Sequence, residues 1–273
     1  MTETRNNSSN SIVAKFTDDE KKAVQDLKEL LPEILKGANA PENYSLWDIA
    51  LDKDSKDERL DVILIKFLRA RSLDVSQAKV MMTKAIEWRI SFKTDELLSE
   101  TFPSSTFAKV GFIHKHDKEF RPVTYNLYGG INNQEVFGNL DQFIRWRVQL
   151  MEKAVKLLDF TNVDQMIQVH DYNLVTISSY DKTVKQASKL ITELMQENYP
   201  EFLAMKLFVN IPWWGDWIFK FISMFLAEET KKKFVLTSAD RVKEIMLDLI
   251  DEENLPTFYG GKSVVRGFEN DTN

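Results

Sequence analysis

Met166-Ile-Gln-Val-His-Asp-Tyr172 places a histidine and a tyrosine two residues apart in an apolar run. Loop residues Thr161, Asn162 and Asp164 precede this run and Asn173 follows it, so it reads as a strand. Side chains alternate faces along a strand, which turns Gln168, His170 and Tyr172 one way and Ile167, Val169 and Asp171 the other. Two groups able to ligate a metal therefore share a face. Two cations stand in equally apolar settings. Arg147 falls on the apolar face of a helix predicted over Asn139 to Leu158, together with Phe143, Leu150, Met151, Ala154 and Leu158. It either snorkels to the edge or faces a ligand, since a buried arginine without an anionic partner is costly. Lys206 is the one charge in a second predicted strand, Ala204 to Asn210.

Other candidate chemistry is thinner. His114 and His116 share a face of a short segment and are a weak metal candidate beside a polar turn. Gly260-Gly-Lys-Ser263 has Pro256 where a phosphate-binding loop needs its first glycine. The chain carries neither a G-x-S-x-G elbow nor a G-x-G-x-x-G after a strand, so an enzyme is not expected. Without cysteine there is no thiolate site, no disulfide framework and no cysteine nucleophile, which points to the cytoplasm.

A helix predicted from about Ser179 to Asn198 links the two strands, and strand, long helix, strand implies a crossover unit with parallel strands. Next comes Pro212-Trp-Trp-Gly-Asp-Trp-Ile-Phe-Lys-Phe-Ile-Ser-Met-Phe-Leu226, whose Trp213, Trp214, Trp217, Phe221 and Phe225 crowd about four turns. At ~1.5 Å per residue it spans roughly 20 Å, short of the ~30 Å hydrocarbon core, and Asp216 and Lys220 interrupt it. It is either a core helix or a lid that opens onto a membrane or a lipid. Lys231-Lys-Lys233 then leads into the short strand Phe234 to Leu236, and basic residues beside an apolar lid favour an anionic head group.

The 273 residues, 43% hydrophobic and 29% charged, are enough for a large domain with a helical extension. With 36 basic against 42 acidic residues, bulk charge does not favour nucleic acid, and any membrane contact must be local. Met1 to Ser11 is polar, without the apolar stretch of a signal peptide. Thr17-Asp-Asp-Glu20 is a capping box opening a helix that Pro32 stops. Helices follow over Asp57 to Ala70 and Val75 to Phe92, giving a small helical bundle. A hairpin is predicted from Val110 to His114 and Arg121 to Tyr128, ended by Gly129-Gly130. The last helix runs from Ala239 to Ile250. The expected organisation is a flexible tail at 1–16, a helical extension at 17–100, a ligand-binding domain at 101–264 and a frayed end at 265–273.

Lys66-Phe-Leu-Arg-Ala-Arg71 with Trp88-Arg89, Glu197-Asn-Tyr-Pro-Glu201, Val209-Asn-Ile-Pro212 and Glu253-Asn-Leu-Pro-Thr-Phe-Tyr-Gly-Gly261 resemble the CRAL-TRIO lipid-binding family. The form is nearest to the fungal non-classical phosphatidylinositol transfer proteins. Their haem-binding branch shares Asn126-Leu-Tyr128-Gly129, Arg145-Trp-Arg147 and Gln168-Val-His-Asp-Tyr172. The resemblance implies an α/β fold: a helical N-terminal bundle, then a mostly parallel, helix-flanked sheet under an apolar pocket closed by a gating helix, here Pro212 to Leu226. It implies that Arg71, Glu201 and Lys232 read the phosphate and hydroxyls of phosphatidylinositol. It also implies that the same pocket takes haem b, with tyrosinate Tyr172 as the axial ligand, His170 beside it, and Tyr128, Arg147 and Lys206 around the porphyrin and its propionates. Arg71 stands where that branch has a tyrosine. The expected role is transfer of phosphatidylinositol by transient, peripheral contact with the endoplasmic reticulum or another membrane. The alternative is a haem sensor or store.

Overall fold

Thr17 begins the helical part as the capping box requires: its hydroxyl accepts from the Glu20 N–H while the Glu20 carboxylate accepts from the Thr17 N–H. The computed structural model describes residues 10–212, Met224 and 233–267. They fall into two compact units. Unit 1 comprises the chain up to Asp95 plus Leu158–Asp164 and Glu197–Phe202, and unit 2 comprises Glu96–Leu157, Gln165–Gln196 and the residues from Leu203 onward.

Unit 1 is helical. Helix α1 (Asp18–Glu29) is followed by α2 (Leu31–Gly37), the two-residue strands β1 (Ser45–Leu46) and β2 (Ile49–Ala50), then α3 (Glu58–Arg69) and α4 (Val75–Phe92). Pro32 does not close the helical run. It sits in the first turn of α2, where its missing N–H has no intrahelical partner to lose. Asp57 and Asp74 cap α3 and α4, each accepting from a backbone N–H in the first turn. Leu60, Ile63, Leu64, Phe67 and Leu68 of α3 are fully buried, as their spacing predicts.

Unit 2 is mixed α/β. After the short turns α5 (Thr94–Leu97) and α6 (Ser104–Phe107) come strands β3 (Gly111–His116) and β4 (Pro122–Leu127) and helices α7 (Asn133–Phe137) and α8 (Leu140–Val155). Strand β5 (Met166–Asp171), helix α9 (Lys182–Asn198), which ends in unit 1, strands β6 (Leu203–Val209) and β7 (Phe234–Leu236), and helix α10 (Val242–Leu249) follow among the described residues. The predicted last helix opens as a 3-10 turn at Ala239–Arg241 and becomes α-helical only from Val242. The sheet order is β3-β4-β5-β6-β7, antiparallel at the β3–β4 hairpin and parallel thereafter. The mostly parallel sheet and its crossover through α9 match the sequence expectation.

The two faces of this sheet differ in kind. Val123, Tyr125, Ile167, Val169, Leu207 and Val209 form one apolar face, packed on Val242, Met246 and Ile250 of the α10 segment with Leu255 and Tyr259. On the other face α8 comes so close that a β-carbon on Gly111 would lie 3.0 Å from both Trp146 and Leu150. No described helix is long and apolar enough to cross a membrane. The predicted gate residues Trp213, Trp214, Trp217, Phe221 and Phe225 lie outside the described residues.

Candidate functional site

The parallel register lines up polar residues on the face opposite the apolar core. Thr124 is paired with Gln168, Gln168 with Lys206 and Lys206 with Phe234; the next row runs Asn126, His170, Phe208, Leu236. The ladder continues past the strand ends, where the Tyr128 N–H donates to the Asp171 carbonyl and the Tyr172 N–H to the Val209 carbonyl, each at 3.0 Å. Gly129 makes this possible. A β-carbon there would sit 1.4 Å from the Asn173 carbonyl oxygen, so the turns after β4 and β5 lie backbone against backbone only because position 129 has no side chain.

Tyr128, His170 and Tyr172 are thereby brought together. The Tyr128 ring lies 5.6 Å from His170 and 5.5 Å from Tyr172, and both latter rings border Phe208, at 5.5 and 6.2 Å. The two residues predicted to share a face do so. Burial, and then the charges of Lys206 and Arg147, push the His170 imidazole well below its ordinary pKa, so the ring is neutral. Its Nδ1 is 2.8 Å from the Tyr128 hydroxyl and its Nε2 is 3.5 Å from Gln168 Oε1. A neutral ring satisfies both contacts by carrying its proton on Nε2 and accepting the Tyr128 O–H at Nδ1. His170 is thus already engaged, whereas burial and the neighbouring Tyr128 and Tyr180 raise the Tyr172 hydroxyl well above the ordinary tyrosine pKa and keep it protonated.

Two cations face this cluster. Arg147 is 6% exposed, and burial lowers its pKa while Tyr128 opposes the shift. Lys206, from the middle of the sheet, has its ammonium 5.5 Å from the Phe208 ring and 5.7 Å from the Phe234 ring. Burial, reinforced by Arg147, brings its pKa down to about 7. Among the described residues neither cation has a carboxylate partner. Asn126, in the same row as His170, donates from Nδ2 to the Val169 carbonyl at 3.1 Å, and its buried Oδ1 has no donor among the described residues. This face thus carries two buried cations and a buried amide oxygen side by side.

The other predicted residues lie in unit 1 or outside the described residues. Arg71 turns back on itself, Nη1 donating to the Ala70 carbonyl at 2.8 Å. Glu201 is held at a φ of 57°, the left-handed region that a side-chain-bearing residue rarely adopts. Its carbonyl accepts from Lys66 Nζ at 3.0 Å, and the same ammonium reaches the Asp164 carboxylate and the Asp164 carbonyl, both at 2.7 Å. Lys66 is 1% exposed, and burial lowers its pKa against the pull of Asp164. Lys232 lies outside the described residues.

Sequence reasoning gave no role to Lys66 or Asp171. Asp171 is buried on the apolar side of the sheet, where it accepts from Tyr259 Oη at 2.6 Å, Asn210 Nδ2 at 2.8 Å and the Asn173 N–H at 2.7 Å. It ties the end of β5 to the end of β6 and to the terminal Tyr259-Gly-Gly261 motif. The available signal was a carboxylate in phase with Ile167 and Val169, a position tolerable only if fully hydrogen-bonded. The two candidate metal histidines have separate partners: His114 Nε2 lies 2.9 Å from Ser263 Oγ, and His116 Nδ1 lies 2.8 Å from the Asp117 carbonyl.

Residues 107–261 match the family model of the CRAL/TRIO domain, and residues 23–84 match that of the CRAL/TRIO N-terminal domain. The chain belongs to the CRAL/TRIO family. It is similar to Patellin-3 of Arabidopsis thaliana, 36% identical over 267 residues that make up 93% of this chain and 53% of that one. The chain thus spans about half the length of that plant relative. It is also similar to the phosphatidylinositol transfer protein SFH5 of Kluyveromyces lactis, 33% identical over 91% of this chain and 84% of that one. A solved structure of Sfh5 aligns with a TM-score of 0.77 at 30% identity, covering 95% of this chain and 91% of that chain. The CRAL/TRIO sheet is therefore the frame on which the Tyr128, His170, Tyr172 cluster is mounted.

Proposed function

We propose that this CRAL/TRIO protein binds one molecule of phosphatidylinositol and carries it between membranes without making or breaking a covalent bond. The observation that carries the reading is Glu201, a side-chain-bearing residue at a φ of 57° whose carbonyl accepts from the buried ammonium of Lys66. Strain of this kind persists only where surrounding contacts over-determine it, and it gathers at ligand clamps. The carboxylate so placed accepts inositol hydroxyls, and Arg71 and Lys232 supply cations for the phosphate. The likeness to SFH5 proteins named as phosphatidylinositol transfer proteins, over 91% and 88% of this chain, supports the same reading. The protein acts from the cytoplasm and meets the endoplasmic reticulum or another membrane peripherally and transiently.

A second reading, haem b in the same protein, is favoured by the cluster on the sheet. The donor set fits: Tyr172 offers a hydroxyl that would ligate ferric iron once it loses its proton, and Arg147 and Lys206 are buried cations, without a carboxylate partner among the described residues, that would pair with propionates. When bound, haem would supply redox-active iron. The chain's own residues would contribute the Tyr172 oxygen, the two cations and the Tyr128–His170 pair that borders them.

One preparation tests both readings: an absorption spectrum and a lipid extract of the protein purified from iron-supplied cells. Glu201→Ala with Lys232→Ala is expected to lower phosphatidylinositol transfer between vesicles; unchanged transfer sinks the head-group assignment. Tyr172→Phe is expected to abolish any Soret band while leaving lipid exchange intact, and a retained band refutes the axial role of Tyr172.

A further inference from the structure

The loop after β5 carries two large apolar side chains into solvent. Leu174 is 74% exposed and Ile177 57% exposed. Leu174 also stands at a φ of 62°, which a leucine rarely adopts. The Val175 N–H closes a turn onto the Tyr172 carbonyl at 3.0 Å, and the Asn173 N–H is fixed by Asp171 at 2.7 Å. Beneath lies the Gly129-Gly130 turn: a β-carbon on Gly130 would touch Leu174 Cδ1 at 3.7 Å. The Asn133 side chain adds a hydrogen bond to the Ser179 carbonyl. The fold thus holds a leucine in an unfavourable backbone conformation with most of its side chain in water, and gains little packing from it. Such a residue is explained by a surface it meets elsewhere.

The charge beside this loop states the chemistry of that surface. Lys182, Lys185 and Lys189 repeat at three- and four-residue spacing along α9, which begins directly after the loop. Asp181 is occupied in capping the helix, accepting from the Thr183 and Val184 N–H groups at 2.7 and 3.0 Å. Glu193 meets Lys189 in an exposed pair at 3.8 Å, and the Lys185 ammonium lies 5.5 Å from the Tyr180 ring at the start of the helix. Apolar tips flanked by lysines fit an anionic bilayer, in which the tips enter the interface and the lysines meet lipid phosphates and carboxylates.

We infer that Leu174 and Ile177, with Lys182, Lys185 and Lys189, form a membrane-docking lip at the end of β5, beside the Tyr128–His170–Tyr172 cluster. This rests on the reading of the protein as a lipid carrier.

The test measures partition of the whole chain onto vesicles of phosphatidylcholine alone and of phosphatidylcholine with phosphatidylserine, with a lipid extract of each protein. Leu174→Gly with Ile177→Ser is expected to weaken partition about tenfold or more, since removing two insertable side chains removes well over one decade of affinity. Glycine tolerates the left-handed backbone, so the thermal midpoint of Leu174→Gly should not fall. Lys182→Glu with Lys189→Glu is expected to weaken partition onto the phosphatidylserine vesicles alone. Phe120, 69% exposed in the β3–β4 turn at the opposite end of the strands, is the control, and Phe120→Ser should partition like the wild type. Wild-type partition of the Leu174→Gly, Ile177→Ser variant overturns the lip, whatever lipid the protein carries; the loop would then be left to a protein partner. Lost partition together with a lipid-free extract of the wild type upholds the lip and removes the carrier reading instead.

Discussion

Replacing Lys66 by methionine separates what holds Glu201 from what Glu201 does. Methionine keeps most of the side-chain stem beside Phe202, whose ring the ammonium overlies at 4.6 Å, so the change is chiefly electrostatic. It deletes three hydrogen bonds from one ammonium: two to Asp164 at 2.7 Å and one to the Glu201 carbonyl at 3.0 Å. Breaking a buried ion pair by removing one partner costs about 3–5 kcal/mol. The Asp164 side chain keeps 18% of its exposure and can be rehydrated, which places the value at about 3 kcal/mol. Glu201, at a φ of 57°, also loses the hydrogen bond to its carbonyl. Denaturant titration read through the packing of Trp47, whose ring lies 4.7 Å edge-on from Phe202, reports the loss in unit 1. Phosphatidylinositol transfer should fall with it under conditions in which the variant remains folded. Lys66→Met with Asp164→Leu should recover part of the stability, because both charges leave together, but not the transfer. A single variant within about 1 kcal/mol of the wild type, or a double variant as unstable as the sum of the two singles, would refute Lys66 as the pin of this segment.

Other expectations follow from the sheet. Lys206, with its pKa near 7, is largely charged at pH 6 and largely neutral at pH 8. An anion that uses its charge is bound with proton uptake, so affinity falls as pH rises. Iron-free protoporphyrin, which offers propionates without metal ligation, should bind about tenfold more weakly at pH 8 than at pH 6, and Lys206→Met should flatten that slope; an unchanged slope removes Lys206 from the anion site. In the ligand-free protein the same depressed pKa makes the contribution of Lys206 to stability rise with pH from about 7 to 10.5, where only the unfolded chain holds the proton. Gly129→Ala should destabilise by about 3 kcal/mol or more, since the added methyl would lie 1.4 Å from a backbone oxygen; a denaturation midpoint like that of the wild type would show that the two turns are free to separate.

Period and punctuation alone determined most of the architecture. Alternation in Met166–Asp171 put Gln168 and His170 on one face and Ile167 and Val169 on the other, and the parallel register bears this out because a pleated strand allows no other arrangement. The Thr17 capping box and the Arg147 phase were legible for the same reason: each depends on residues within a turn or two of one another. What sequence could not state was which distant groups satisfy buried charges. Lys66 reads as one lysine of a family motif, yet its partners lie 98 and 135 residues away. The roles of Asp171 and of Gly129 likewise exist only because the ends of β4, β5 and β6 are brought side by side. Local spacing determines which face a side chain presents; only the folded sheet decides what stands opposite, because desolvation and hydrogen bonding are settled by neighbours in space.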